Sequence, residues 1–127
     1  MICYSRHDSF EEAGHCPDHA ARYREVVEGM ARRCGDPYFW LSFVDRIVDD
    51  DQPVVLHHGV AVVPAPDFST AVDTAWLTGC NPGGEVRGYE LDRGEVDRAQ
   101  VPLFTLLDGV DLEAAKEALA AAHEEGR

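Results

Sequence analysis

Apolar and polar positions follow two different periods along this chain, and each change of period marks an element. From Pro17 onward Tyr23, Val26, Val27, Met30, Ala31 and Cys34 recur at helical spacing, which predicts a helix with one buried face and places Cys34 in the core. Cys16 precedes Pro17, a favoured first helical residue, and Gly35 followed by Asp36-Pro37 supplies the stop. The next run, YFWLSFVDRIV at 38–48, is aromatic and β-branched, as is VVLHHGVAVV at 54–63, and the acidic DDDQP at 49–53 reads as a loop between them. These are two strands, an antiparallel pair.

Pro64-Ala65-Pro66 ends the second strand and leaves Asp67 as an N-cap for a helix whose stripe is Phe68, Ala71, Val72, Ala75 and Trp76, with Gly79 as its helix-ending glycine. EVRGYEL at 85–91 is a weaker third strand, interrupted by Gly88 and by charges, and belongs near a sheet edge. DRGEVDRAQ reads as a polar connector, and VPLFTLL at 101–107 is too short to assign. Asp108-Gly109 turns the chain into an Ala-rich helix capped at Asp111, with Leu112, Ala115, Leu119 and Ala122 on one face. Residues 1–15 have no period and are expected to form an irregular N-terminal arm.

The element order is therefore α-ββ-α-β-α in a single α+β domain spanning 1–127. A mixed sheet of three or four strands with helices mainly on one face, ferredoxin-like in arrangement, is the simplest way to bury every stripe. At 127 residues such a core needs neither disulfide nor metal to fold.

Charge narrows the partners. Asp and Glu total 24 against 11 Lys plus Arg, a formal charge of −13, so the field repels nucleic acid and anionic membrane and favours a protein partner with a basic surface. The opening MICYSRHDSF lacks the apolar segment of a signal peptide and no stretch is long enough to span a membrane, which points to the cytoplasm. In that reducing compartment Cys3, Cys16, Cys34 and Cys80, without CxxC spacing, read as free thiols or metal ligands.

CNPGGEV at 80–86 raises the question of a phosphate cradle. Phosphate loops run from a strand into a helix N-terminus, where free N–H groups meet the anion. This stretch follows a helix C-terminus, the negative end, and Glu85 adds a further negative charge. Pro82 and Gly83 suit the central positions of a type II turn, so the stretch is first a helix-to-strand turn. As a ligand rim it nominates Asn81, Gly83, Gly84 and Glu85, with a cation, an amine or a protein backbone favoured over phosphate.

The stretch from His58 to Glu90, with GVAVV, DFSTAVDTAW and TGCNPGGEVRGYEL, resembles a group of uncharacterised small proteins of actinobacteria and their phages. They share an aliphatic strand, a helix ending in Gly-x-Asn-Pro-Gly-Gly-Glu-Val, and a following strand. The resemblance covers about a quarter of the chain and brings no activity with it.

The remaining candidate chemistry is near the N-terminus. Cys16-Pro17-Asp18-His19 has C-x2-H spacing, and Cys3, His7, His15 or the more distant Cys80 could supply the two further ligands of a zinc site around Cys16 and His19, with no second short-spaced pair to fix the choice. Cys16 at a helix start is also a candidate nucleophile, with His15 or His19 as base. The bland reading is a capping residue beside solvent-facing histidines, and it is preferred because no triad member is identifiable. His57 and His58 point to opposite faces of their strand, one more buried than the other, and cannot share a metal. No nucleophile elbow, HExxH or Walker sequence occurs, so the reading leans away from an enzyme, with no organic cofactor expected and zinc as the one candidate ion. The preferred reading is a non-catalytic acidic cytoplasmic binding or regulatory protein, phage-related, acting on a protein partner. The alternatives are a small-ligand binder, nucleotide-like or cationic, at the 79–86 loop, and a small zinc- or thiol-dependent enzyme at Cys16 and His19. An exposed third strand would also invite homodimerisation by edge pairing.

Overall fold

The computed structural model describes residues 17–125, and the expected irregular arm at 1–15 lies outside them. The elements in chain order are α1 (Pro17–Cys34), β1 (Tyr38–Asp49), β2 (Gln52–Pro64), α2 (Phe68–Leu77), β3 (Glu85–Leu91), α3 (Arg93–Ala99) and α4 (Gly109–Glu125). The class is α+β, and the predicted strands and long helices are all present.

The sheet has three strands in the order β2-β1-β3, and both neighbours of β1 run antiparallel to it. The mixed sheet expected from the sequence is thus wholly antiparallel. β2 and β3 are the two parallel strands that α2 connects, and β1 lies between them. One such split β-α-β unit is present among the described residues, so the four-stranded ferredoxin-like arrangement is not completed.

Helices cover both faces, not mainly one, and β1 is the reason. From Tyr38 to Leu41 its side chains alternate without a polar interval: Tyr38 and Trp40 join Val60, Val62 and Leu91 on one face, under α3 and α4. Phe39, Leu41 and Phe43 join Ala61 and Val63 on the other, under α2 and the Val27 side of α1. A strand apolar at every position must be buried on both sides. Leu41, Phe43, Val60 and Val62 are essentially inaccessible, each worth roughly 1.5–3 kcal/mol of burial.

Helix ends follow local chemistry. The Asp67 carboxylate accepts from the Thr70 amide at 2.7 Å, as an N-cap should, and that hydrogen bond holds its pKa below the usual carboxylate value. Gly79, at φ +81°, closes α2: its N–H donates to Trp76 and the N–H of Cys80 reaches back to Ala75, the paired bonds of a Schellman motif. The expected polar connector after β3 is instead a short helix, α3, because Asp92 caps Glu95 N–H at 3.1 Å and Val96 buries against the sheet. The unassigned 101–107 stretch runs along the outer edge of β2, where Val60 and Leu107 exchange two backbone bonds and Phe104 donates to Val62.

The stripe predicted for α1 is rotated. Ala20, Arg24, Val27 and Ala31 face inward, with the Arg24 guanidinium over the Phe104 ring at 5.5 Å, while Val26, Met30 and Cys34 are exposed. Cys34, expected in the core, is therefore a surface thiol, and Cys80 is the buried one, its thiol pushed up by desolvation. Maleimide labelling with peptide mapping should modify Cys34 in the native protein and Cys80 only after denaturant is added. Native labelling of Cys80 would contradict this packing.

Candidate functional site

β1 and β2 run on past the sheet. The pairing of β1 with β3 ends at Val44 with Glu85, and the cover over the edge of β2 ends at Val60. Beyond those points Asp45–Asp49 pairs with Gln52–Leu56 as a two-stranded ribbon, roughly 17 Å long at 3.4 Å per residue. Its tip is a two-residue turn with Asp50 and Asp51 both at positive φ, the geometry that continues strand twist through a tight hairpin. The loop expected at 49–53 is thus mostly strand.

The ribbon carries apolar side chains on both sides, and no described element covers either. Register places Val44, Arg46 and Val48 on one side with Pro53, Val55 and His57, and Asp45 and Ile47 on the other with Val54 and Leu56. Val48 is 75% exposed, Val55 61%, and Ile47 and Leu56 45% each. Single exposed apolar residues are ordinary; a contiguous group on one projecting element marks an interaction surface. The sequence could not reveal it, since an alternating apolar strand reads the same whether a partner covers it inside the chain or from another protein.

Its root is built with care. Phe43 pairs with Gly59 and Val44 with His57, so His58 is an extra residue, a β-bulge. His58 Nε2 lies 2.7 Å from Asp45 Oδ2, and on the other side His57 Nε2 lies 2.9 Å from Ser42 Oγ. The two histidines do face opposite ways, and His58 is the less exposed. Among the described residues the Ser42–His57 pair has no third member: the nearby carboxylate, Asp45, is bonded to His58.

The glycine loop clamps the same root. Asn81 Oδ1 accepts from Gly83 N–H at 2.8 Å, an Asx turn, and Gly83 and Gly84 both take positive φ. A Cβ on Gly84 would stand 2.6 Å from Asp45 Oδ1 and 2.7 Å from the Val44 carbonyl, so glycine is what lets the loop lie against β1. Glu85 bonds Arg46 at 3.0 Å and Arg87 at 3.2 Å. All four nominated rim residues are thus engaged within the protein, Gly83 through its N–H, although nothing lies within 4 Å of the Cβ it lacks.

The nominated zinc ligands are a different matter. Cys16, His15 and His7 lie outside the described residues, and of His19 only the backbone, in the first turn of α1, is described. Among the described residues no three His, Cys, Asp or Glu side chains gather as a metal site would require. A cavity of about 350 Å3 at the C-terminus of α1 is bounded by Glu28, Tyr38, Arg93 and Asp97. Arg93 there donates to the Asp36 carbonyl at 2.6 Å and to the Ala31 carbonyl of α1's last turn at 3.5 Å, and lies 5.4 Å from the Tyr38 ring. Desolvation raises the Tyr38 phenol, and its hydroxyl donates to Asp97.

No described helix is long and apolar enough to cross a membrane. No family model, curated protein or solved structure matches the chain.

If the loop is a structural clamp, Gly84→Ala should destabilise by about 2–5 kcal/mol in urea unfolding, through overpacking and positive φ together. Gly83→Ala, with space for its methyl, should cost only the conformational strain, about 1–2 kcal/mol. Equal costs would remove the close approach to β1 as the loop's reason.

Proposed function

We propose that this chain is a non-catalytic, acidic, cytoplasmic binding protein that acts on a protein partner with a basic surface, and that the β1–β2 ribbon is the element it presents. The observation that carries the reading is the ribbon itself: Ile47, Val48, Val55 and Leu56 exposed on both sides of a projecting hairpin whose turn is Asp50-Asp51. An apolar blade with an acidic tip fits a groove with apolar walls and a basic end. Burial of the blade supplies affinity, and the −13 formal charge steers approach and rejects anionic competitors. The kinship proposed with small actinobacterial and actinophage proteins rests on the His58–Glu90 segment and adds a phage-related setting.

The small-ligand alternative at 79–86 has less to work with, because the loop's polar groups already serve one another and β1.

Photo-crosslinking in a lysate of the source organism tests the reading. A crosslinkable residue at Val48 or Val55 should trap one and the same partner, and one at Val110, 85% exposed on α4, should not. Asp50→Asn with Asp51→Gly keeps the turn geometry while removing two charges, and should reduce recovery and its salt dependence. Equal trapping from Val110, or recovery indifferent to salt and to both charges, would contradict it.

A further inference from the structure

The opposite edge of the sheet carries a second surface. β3 is an edge strand, with β1 on one side and no described strand on the other, and every residue from Arg87 to Glu90 is exposed. Natural edges are blunted by charge, by brevity or by cover. Here the edge exposes an aromatic side chain: Tyr89, 58% exposed, stacks on Trp40 with ring centroids 6.3 Å apart and planes 19° from parallel.

Beside that edge runs an open groove of about 450 Å3, floored by Trp40, Tyr89 and Leu91 and walled by Lys116, Leu119 and His123 of α4. Its two basic side chains are answered from within, Lys116 by Glu113 and His123 by Glu95. Glu95 also lines it, and Glu117 and Glu124, on the same helix as its wall, are exposed. The helix beside it is rich in Glu, the floor is aromatic, and no described strand pairs with the outer side of β3.

We infer that β3 and this groove accept an extended, basic segment of a protein partner, which adds as a fourth strand and lays an arginine or aromatic side chain on the Tyr89–Trp40 stack. Backbone pairing along the edge provides register-fixed hydrogen bonds, and alternate side chains of the added strand fall into the groove. A guanidinium over Tyr89 gains from the ring face and from the surrounding carboxylates together. A second copy of this chain is the less suited occupant, because it brings another −13 of charge to the same place. The inference shares with the ribbon the reading of the chain as a protein-binding protein, but it uses none of the ribbon's residues.

Selection of a displayed library of random linear peptides on the immobilised protein tests it. Enriched peptides should be basic, with an arginine or aromatic residue at one fixed position. By fluorescence anisotropy they should bind Tyr89→Ala, its fold verified by circular dichroism, about tenfold more weakly. N-methylation of alternate backbone amides in the best peptide should abolish binding in one of the two registers, and Val48→Ser with Val55→Ser should leave it unchanged. Failure to enrich any peptide, enrichment of acidic peptides, or equal binding to Tyr89→Ala would overturn the edge site and leave the ribbon's crosslinks standing. Loss of binding in the Val48→Ser, Val55→Ser variant would overturn it too, by moving the site to the ribbon.

Discussion

β1 is apolar on both of its faces, and that single property organises the molecule. Tyr38 and Trp40 require a layer on one side, and Phe39, Leu41 and Phe43 require one on the other. The chain meets both demands by sending α1 and α2 to one face and α3 and α4 to the other, with β2 and β3 flanking the strand. A one-sided sheet would leave about half of these side chains in water, at a cost of roughly 1.5–3 kcal/mol for each large residue.

The burial stops abruptly, and the functional reading begins where it stops. At the His58 bulge the register shifts, the third strand ends and the edge cover is left behind, yet the two strands continue as a ribbon that keeps its apolar composition. The loop Asn81 to Glu85 meets this junction: Gly84 lies against Asp45, Glu85 holds Arg46, and Asp45 holds His58. The glycine pair that looks like a phosphate cradle is, in this geometry, the brace from which the ribbon projects.

Much of this was legible in the residues. The two strands of the hairpin, the Asp67 cap, the Gly79 stop and the edge position of EVRGYEL all follow from local chemistry and were readable from it. Other features were not, for specific reasons. Burial of both faces of β1 was written in the unbroken run YFWL, but an apolar run alone does not say what will cover it. α3 hid behind Gly94 and its brevity, although Asp92 and Glu95 stand at capping-box spacing. The orientation of α1 depended on Arg24 choosing Phe104, a contact 80 residues away in sequence that no helical period encodes. The exposed state of Ile47, Val48, Val55 and Leu56 depends on how far β3 and the 101–107 segment reach, which is a property of the assembled sheet.

A ribbon with exposed apolar side chains and no described cover should stand outside the cooperative core. Native-state hydrogen exchange read amide by amide tests this most directly. Amides within 38–43 and 59–63 should exchange only through global unfolding, while those of 45–49 and 52–57 exchange through local opening, with protection lower by orders of magnitude. Ribbon amides as protected as those of Leu41 and Val62 would mean that the blade is already covered in the isolated protein, and would contradict its role as a surface held open for a partner.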